Sequence, residues 1–393
     1  QQVHLQVAQL LEARFPETVE THPELVAHHY SEANVPDLAI NYFQKAGARA
    51  LRMSANSEAI AHLTRGLEIL RTMADSPERS RRELNLLMTM GPALIASRGY
   101  AAPEVEFAYR RALELCQELG DAPMQFSVLH GQWLSKYMQG DLLAARSLAA
   151  QLVDLAEGRP DPGLDLMAHR TLGYTLESLG ELQPALSAYE RAIASYDPEV
   201  HGGYAFRFGG ADPGSGSMCH MGWTLFALGY PDQALARNEQ GLALARKLAQ
   251  PFSEVWALMS TAVVHHLRGD QKAAHEHAEA AIAIANEKGF AYFLGLASVL
   301  RGHALFEQGG GADAIAEMRR GIDVSRATGA VLGVPYYLAL LASAHGRHDQ
   351  ARDGLVMVAE GLAEVARTGE RFWEAELLRL KGQLLLQEDT ANE

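Results

Sequence analysis

Hydrophobic residues recur along most of this chain at spacings of three and four, the pattern of amphipathic helices that each bury one face. The pattern is clearest in residues 172–196, where a helix stops at Gly180 and a second helix carries Ala185. The same glycine-to-alanine offset occurs at Gly140/Ala145, Gly180/Ala185, Gly229/Ala234, Gly269/Ala274, Gly309/Ala314 and Gly346/Ala351. Most of these turns lie about 40 residues apart, and a period of about 20 to 50 residues is typical of solenoids. The sequence therefore predicts stacked antiparallel helix pairs.

Small residues mark a second position in most of these predicted pairs, seven residues before the turn glycine. They are Gly173, Gly222, Ala262, Gly302 and Ala339. A residue without bulk at this place allows the second helix of the pair to approach closely, and the alanine after the turn is its small counterpart. Trp133 occupies the same position in one pair, so that pair is expected to pack differently.

The regularity of the pattern divides the chain into five predicted segments. Residues 1–75 form irregular helical repeats in which Asn34 and Ser54 take the place of the turn glycine. Residues 79–197 and 217–368 form the repeats proper, and residues 370–388 form a C-terminal capping helix that shields the end of the stack. Between the two blocks, residues 198–216 are rich in Gly and Pro and lack a helical period. They are predicted to be an insert loop, and such long loops in compact folds are usually functional or disordered.

The spacing of small, large, Gly and Ala positions resembles the tetratricopeptide (TPR) repeat, most clearly at Leu172, Gly173, Leu176, Gly180, Ala185, Tyr189, Ala192 and Pro198. The period here is longer than the 34 residues of the TPR repeat, and the tryptophan that the TPR family has early in the first helix is missing from this chain. The resemblance implies an all-α fold, namely a right-handed α-solenoid of antiparallel helix pairs.

Longer repeats of this kind resemble the C-terminal sensor regions of bacterial STAND/AAA-type signalling ATPases, which are often fused to class III adenylate/guanylate cyclase or DNA-binding domains. Three stretches carry this closer likeness: ARFPETVETHPELVAHHYSEAN, LGYPDQALARNEQGLALAR and TGERFWEAELLRLKGQLLL. The resemblance implies a regulatory arm of a larger bacterial cytoplasmic protein. The chain also begins inside a predicted helix without an initiator Met, so we expect it to be a piece of that protein.

The bulk composition narrows the partners. The formal net charge of −14 over 393 residues argues against sequence-independent binding of nucleic acid, which needs clustered Lys and Arg. Cys116 and Cys219 lie far apart and provide neither a disulfide framework nor zinc spacing, which suits a reducing compartment. No apolar run is long enough to span a bilayer. We therefore expect a protein or peptide partner, including the upstream domains of the same chain, and neither nucleic acid nor membrane.

No catalytic signature is found, and we expect no enzymatic activity, cofactor or metal in this part of the protein. The phosphate-binding motif G-x-x-x-x-G-K-[ST] is absent, so an ATPase domain would have to lie upstream. The glycines 309–311 precede a helix but lack a lysine and occupy an ordinary repeat turn. Of the histidines His265, His266, His275 and His277 that flank one turn, the last two point to different sides of a helix. Zinc needs three or four ligands at fixed distances, so packing or surface roles are favoured.

A surface stripe is the better functional signal. The resemblance implies that the first helices of the pairs line the concave face of the solenoid. Residues ten, six and three before each turn glycine share one side of such a helix. The predicted partner-binding residues on this stripe are His130, Tyr137, Arg170, Tyr174, Glu177, Cys219, Trp223, Phe226, Met259, His266, His303, Phe306 and Tyr336. The stripe is aromatic and lightly charged, as partner surfaces are, although a tightly wound array would bury it against itself.

The predicted insert leads into the helix that carries Cys219, Trp223 and Phe226, so it is placed to fold over the groove, with Tyr204, Arg207 and Asp212 as contacts. A flexible surface loop is the alternative. Three functions follow from the sequence. The first is a protein- or peptide-binding scaffold that acts as the sensor arm of a signalling ATPase or cyclase. The others are a small-molecule sensor with its ligand between the insert and the groove, and a purely structural spacer.

Overall fold

A computed structural model describes residues 1–99, 102–120, 122–157, 159, 161–208 and 210–391, with the side chains of 122, 123, 206, 207 and 389–391 left out. Within these residues the regular secondary structure is entirely helical. In chain order the helices are α1 (Gln2–Arg14), α2 (Pro16–Thr21), α3 (Pro23–Glu32), α4 (Pro36–Arg52), α5 (Asn56–Arg71), α6 (Pro77–Arg98), α7 (Pro103–Leu119), α8 (Ala122–Met138), α9 (Leu142–Ala156), α10 (Pro162–Ser178), α11 (Leu182–Ala194), α12 (Pro198–His201), α13 (Tyr204–Phe208), α14 (Pro213–Ala227), α15 (Pro231–Leu248), α16 (Pro251–Leu267), α17 (Gln271–Lys288), α18 (Ala291–Glu307), α19 (Gly311–Ala327), α20 (Val334–Arg347), α21 (Ala351–Thr368) and α22 (Glu374–Ala391).

Proline and aspartate set many of the helix starts. Proline stands in the first turn of α2, α3, α4, α7, α10, α12, α14, α15, α16 and α20, where its missing N–H costs no helical hydrogen bond. The side chains of Asp141, Asp161, Asp197, Asp212 and Asp270 cap α9, α10, α12, α14 and α17 by accepting a backbone N–H hydrogen bond.

Left-handed residues end the first helix of each regular pair. Gly140, Gly180, Gly229, Gly269 and Gly309 all have positive φ, which confirms them as the turn residues. Asn34 (φ 61°) and Ser54 (φ 58°) adopt the same conformation, so the stops predicted from the irregular N-terminal repeats are confirmed as well.

The prediction for the last turn is wrong by three residues. Gly346 lies inside α20, and the left-handed residue is Asp349 (φ 57°). Gly346 is a glycine for another reason, since a Cβ on it would lie 2.5 Å from Cδ2 of Leu384 in α22. Counted from Asp349, the small residues of the pair are Ala342 and Gly354, and a Cβ on Gly354 would lie 3.0 Å from the carbonyl oxygen of Ala342.

The small positions seven residues before the turn are explained by close helix contact. A Cβ on Gly173 would lie 2.5 Å from the ring of Tyr189 on the second helix of its pair. At Gly222 it would lie 1.8 Å from Nδ2 of Asn238, again on the second helix. The predicted reason for the small residues is therefore confirmed at these pairs. Trp133, at the same position, is fully buried, and its indole N–H donates to the hydroxyl of Thr175 (2.9 Å) on the first helix of the next pair.

The prediction of a long loop at 198–216 is wrong. The segment contains α12 and α13, and α14 begins at Pro213 rather than at 217. The cause is two Asp-Pro steps: Asp197 accepts from the N–H of Glu199 (2.9 Å), and Asp212 accepts from the N–H of Ser215 (2.9 Å). Each step provides an N-cap followed by a proline at the first helical position, which starts a helix despite the glycines that follow.

The chain separates into two compact units, at residues that the sequence pattern does not mark. Unit 1 consists of Gln1–Arg98, Ala102–Gln132 and Phe206–Gly209. One of its buried clusters joins α1, α3 and α4 through Ala8, Val26, Tyr30 and Phe43, among others. The hydroxyls of Tyr30 and Tyr42 both donate to the carboxylate of Glu12 beside this cluster. The five-segment division made from the sequence stays a prediction.

Unit 2 consists of Gly99–Ala101, Trp133–Ala205 and Gly210–Glu393, and it closes on itself. The N–H of Val331, before α20, donates to the carbonyl of Met138 (3.0 Å), and the N–H of Arg371, before α22, donates to the carbonyl of Ser178 (2.7 Å). Residues 369–373 form this closing loop, so the last helix begins at Glu374 and not at the predicted 370. The closure brings the segments before α20 and α22 against the C-terminal ends of α8 and α10.

A buried carboxylate lies at the closure. Glu370 is only 4% exposed, and both of its oxygens accept from the N–H of Gly333 (3.1 and 3.2 Å). Burial raises the pKa of Glu370 to about 8, with the hydrogen bond from Gly333 opposing and the charge of Glu364 adding to the rise. The carboxyl group is therefore mostly protonated in the folded protein at neutral pH.

Candidate functional site

Most of the predicted stripe residues are buried. In unit 2 the buried members are Tyr137, Arg170, Tyr174, Glu177, Cys219, Met259, His303 and Tyr336, and in unit 1 His130 is buried as well. The closure of unit 2 accounts for part of this burial, because the Tyr336 ring stacks on Trp373 of the closing loop. The assignment of these residues to partner binding stays a prediction, and for the buried ones the structure shows a packing role.

Four members of the stripe remain partly exposed: Trp223 and Phe226 on α14, His266 on α16 and Phe306 on α18. We call these four residues the aromatic row. Phe226, His266 and Phe306 each lie three residues before a turn glycine, so three consecutive repeats present a ring at one equivalent position. The Trp223 indole N–H donates to the carbonyl of Ser260 (3.1 Å), which fixes the orientation of that ring. The row is thus a repeated, partly solvent-facing feature of the first helices.

The Trp223 ring belongs to a cluster of aromatic rings within unit 2. The ring centroid of His220 lies 5.1 Å from that of Trp223, 5.0 Å from that of Trp256 and 3.7 Å from that of Tyr174. Neither Trp256 nor His220 belongs to the stripe that the sequence predicts. His220 lies one position and Trp256 three positions from the nearest stripe residue, and the available signal was the density of aromatic residues at the start of α16.

Glu177, which was predicted to line the partner-binding groove, is a buried carboxylate, and both of its oxygens have hydrogen-bond partners. It accepts from the hydroxyl of Thr224 (2.9 Å) and that of Tyr189 (3.0 Å), and its second oxygen also meets Nδ1 of His220. These bonds tie α10 to both α11 and α14. Burial, and next the charge of Glu177, raise the pKa of Tyr189 well above its ordinary value, so its hydroxyl remains a donor.

Tyr336 was counted from the wrong turn residue. With Asp349 as the turn, the equivalent positions of the last pair are Ala339, Ser343 and Gly346. The Tyr336 ring is buried and stacks on Trp373 of the closing loop with a centroid distance of 4.1 Å. Its place in the structure is therefore part of the closure of unit 2.

The residues predicted for the insert have separate places. Asp212 is fully buried and caps α14, and it also accepts from the hydroxyl of Tyr196 (3.0 Å). Tyr204 is half-buried in unit 2 and packs against Gly163, on which a Cβ would lie 2.1 Å from the Tyr204 hydroxyl. The side chain of Arg207 lies outside the described residues.

The histidines around the turn at Gly269 pack in pairs. The rings of His265 and His277 stack at 5.1 Å, and His266 meets His303 edge-on at 4.7 Å. Burial lowers the pKa of His303 well below its ordinary value, and His266 and Arg347 lower it further. Among the residues that the structure describes, no three His, Cys, Asp or Glu side chains are arranged to hold a metal ion. In the same part of the chain, no helix is long and apolar enough to cross a membrane.

Comparison with known proteins identifies the architecture. No model of a known protein family matches the chain. An uncharacterized protein of Rhizobium meliloti (strain 1021) is 24% identical over 364 residues, which is 91% of this chain. The chain spans only 35% of the length of that relative.

Among solved structures, a Rap protein complexed with competence and sporulation factor superposes with a TM-score of 0.57 at 13% identity, covering 88% of this chain and 99% of that one. A tetratricopeptide repeat protein from Parabacteroides merdae gives a TM-score of 0.42 at 12% identity, with 77% of this chain and 99% of that one covered. At such identities the likeness shows the fold alone, and the first superposition carries it. The chain has a TPR-like helical repeat fold.

Proposed function

We propose that unit 2 binds a peptide, or a peptide segment of another protein, along the aromatic row. The observation that carries the proposal is the partial exposure of Phe226, His266 and Phe306 at one equivalent position in three consecutive repeats, next to the partly exposed Trp223. Most of the other stripe residues are buried, so the row is the part of the stripe that is open to a partner. Aromatic side chains at a partly exposed site offer a large apolar area and are enriched in the anchors of protein interfaces.

The fold likeness supports a binding role without fixing the ligand. The Rap protein that superposes on this chain was solved in complex with a bound factor, and stacked helix pairs provide extended surfaces for such binding. The net charge of −14 supports a partner that is not a nucleic acid.

We also propose that the chain is the sensor or regulatory arm of a larger cytoplasmic signalling ATPase or cyclase. The sequence resemblance to such proteins supports this context, and so does the relative of which the chain spans only 35%. Partner binding would change how the arm packs against the catalytic domain. We expect the sequence upstream of Gln1 to encode a phosphate-binding motif, and we expect nucleotide hydrolysis to change when the partner binds. An upstream sequence without a nucleotide-binding or cyclase domain would contradict this context.

The binding proposal is tested with peptides selected on the purified chain from a displayed random-peptide library. The affinity of each synthetic peptide is then measured by calorimetry for wild type, Phe226→Ala and Phe306→Ala. We expect each substitution to weaken binding by about tenfold, since an aromatic anchor contributes more than about 1 kcal/mol. Phe107→Ala is the matched control because Phe107 is 52% exposed and belongs to unit 1. Unchanged affinity in both variants, with helicity retained by circular dichroism, would contradict the assignment of the row.

A further inference from the structure

The last helix, α22, presents an apolar stripe to solvent. Ala375, Leu378, Gly382 and Leu385 are spaced by three and four residues, so they lie along one side of the helix, and all four are exposed. Leu378 is 53% exposed and Leu385 is 44% exposed. The end of a repeat array that meets only water has a polar outer face. The apolar stripe therefore indicates that a partner covers this side of α22.

The other side of α22 is already packed inside unit 2. Leu377, Leu380 and Leu384 are buried in one cluster with residues of α20 and α21. Helix α22 thus packs on the preceding second and first helices, as α18 packs on α17 and α16. Helix α18 also packs against α19, the second helix of its own pair. Among the described residues, α20 and α21 are the helices that pack along α22.

The stripe repeats the contact positions of the first helices. In α10, α14 and α18 a glycine is followed three residues later by a leucine, namely at Gly173/Leu176, Gly222/Leu225 and Gly302/Leu305. A Cβ on any of these three glycines would lie 1.8 to 2.7 Å from an atom of the second helix of its pair. Gly382 and Leu385 have the same spacing, but a Cβ on Gly382 would meet no atom of the described residues within 4 Å. Helix α22 thus carries the positions of a first helix without the helix that they contact.

The glycine itself has no local explanation in α22. Gly382 lies in the middle of the helix, where glycine is the least favourable residue after proline. It does not form a turn, and its backbone is helical. A residue without a side chain is useful at such a place when another backbone approaches closely. The approach that explains Gly382 is that of a helix, as at Gly222.

We propose that α22 is the first helix of a further pair, and that its stripe binds a second helix encoded directly after Glu393 in the larger protein. The pairs in this chain define that helix: it is amphipathic, runs antiparallel to α22 and places a small residue opposite Gly382. At the equivalent contact of α14 and α15, the carbonyl oxygen of Ala234 lies 2.9 Å from a Cβ on Gly222. The inference rests on the proposal that the chain is part of a larger protein, which the 35% coverage of its relative supports.

A second copy of the chain fits the stripe less well. Two α22 helices that cross antiparallel at Gly382 would bring Glu376 of one copy close to Glu388 of the other, since both lie six residues from the crossing. Like charges at such a distance repel each other. The helix that follows in the same protein carries no such constraint.

The test compares the 393-residue chain with the same chain extended by the next ~40 residues that its gene encodes, which is about one repeat. Leu385→Asn and Gly382→Leu are placed in both. We expect each to lower the melting temperature of the extended chain by at least ~2 °C more than that of the shorter chain, because only the extended chain buries the stripe. Leu143→Asn is the matched control, since Leu143 on α9 is 78% exposed and should respond equally in both chains.

The outcomes separate this inference from the proposed function. A gene that ends at Glu393, or equal effects of Leu385→Asn and Gly382→Leu in the two chains, would overturn the further pair and leave the upstream catalytic domain and peptide binding standing. An upstream sequence without a catalytic domain would leave the further pair standing. If the extended chain does not fold, a synthetic peptide of the added residues is titrated into the 393-residue chain. Binding that Gly382→Leu weakens at least tenfold supports the proposal, and absence of binding overturns it. Dimerisation of the 393-residue chain in sedimentation velocity that Gly382→Leu abolishes would assign the stripe to a second copy and overturn the proposal as well.

Discussion

Glu370 offers the sharpest stability prediction, because the structure buries its carboxyl group at the closure of unit 2. Its pKa is raised from 4.5 to about 8 in the folded protein. A group whose pKa is raised on folding contributes fully below its unfolded pKa, and that contribution is lost as the pH rises through the folded value. At pH 7 the unfolded chain has ionised this group while the folded chain has not. Because pH 7 lies 2.5 units above the unfolded pKa of 4.5, and each unit is worth ~1.4 kcal/mol, the free energy of unfolding falls by ~3 kcal/mol.

Glu370→Gln removes this ionisation and keeps an oxygen that accepts from the N–H of Gly333. We expect the variant to be more stable than wild type by up to ~3 kcal/mol at pH 7 and by only ~0.4 kcal/mol at pH 4.5. The measurement is urea unfolding of both proteins across this pH range. Glu287→Gln is the control, since the Glu287 side chain is 70% exposed and lies beside Lys288. A stability difference that does not change with pH, or a variant less stable than wild type at pH 8, would refute the reasoning.

Two further predictions concern packing and acid stability. Gly222→Ala should lower the free energy of unfolding by ~1–3 kcal/mol, because its Cβ would lie 1.8 Å from Nδ2 of Asn238. Gly382 lies in an exposed part of α22, and a Cβ added to it would have nothing within 4 Å. Gly382→Ala should therefore leave the free energy of unfolding unchanged or raise it by up to ~1 kcal/mol. Equal unfolding midpoints for the two variants would contradict close pairing at Gly222. Because the pKa of His303 is lowered in the folded protein, its neutral imidazole contributes to the stability of the fold above pH 6.5. This contribution is lost as the pH falls below that value. Stability should therefore fall less between pH 7 and pH 5 in His303→Gln than in wild type, and parallel curves in urea unfolding would count against a buried neutral His303.

The sequence predicted the architecture well because the signals for helix pairs are local. A glycine with positive φ, such as Gly180, ends a helix through its own backbone freedom, and no distant residue is needed. The small residue at Gly173 is likewise explained by the helix that follows directly, through Tyr189. Both features recur at fixed spacing, so the repeat could be read from one sequence.

The errors arose where a residue has a second role or a distant partner. Gly346 was interpreted as a turn residue, although it is small because Leu384 packs against it. The glycines before α14 suggested a loop, although the Asp212–Pro213 step starts a helix. The burial of Tyr336 depends on Trp373 of the closing loop, which lies 37 residues further along the chain and has no local signal.

Photo-crosslinking of a selected peptide tests the central claim most directly. A peptide that carries a photoreactive phenylalanine analogue is irradiated with the intact chain, and the modified residues are identified by mass spectrometry. Our account predicts adducts on α14, α16 and α18, centred on Trp223, Phe226, His266 and Phe306. Adducts confined to unit 1, or to the second helices α15, α17 and α19, would contradict it.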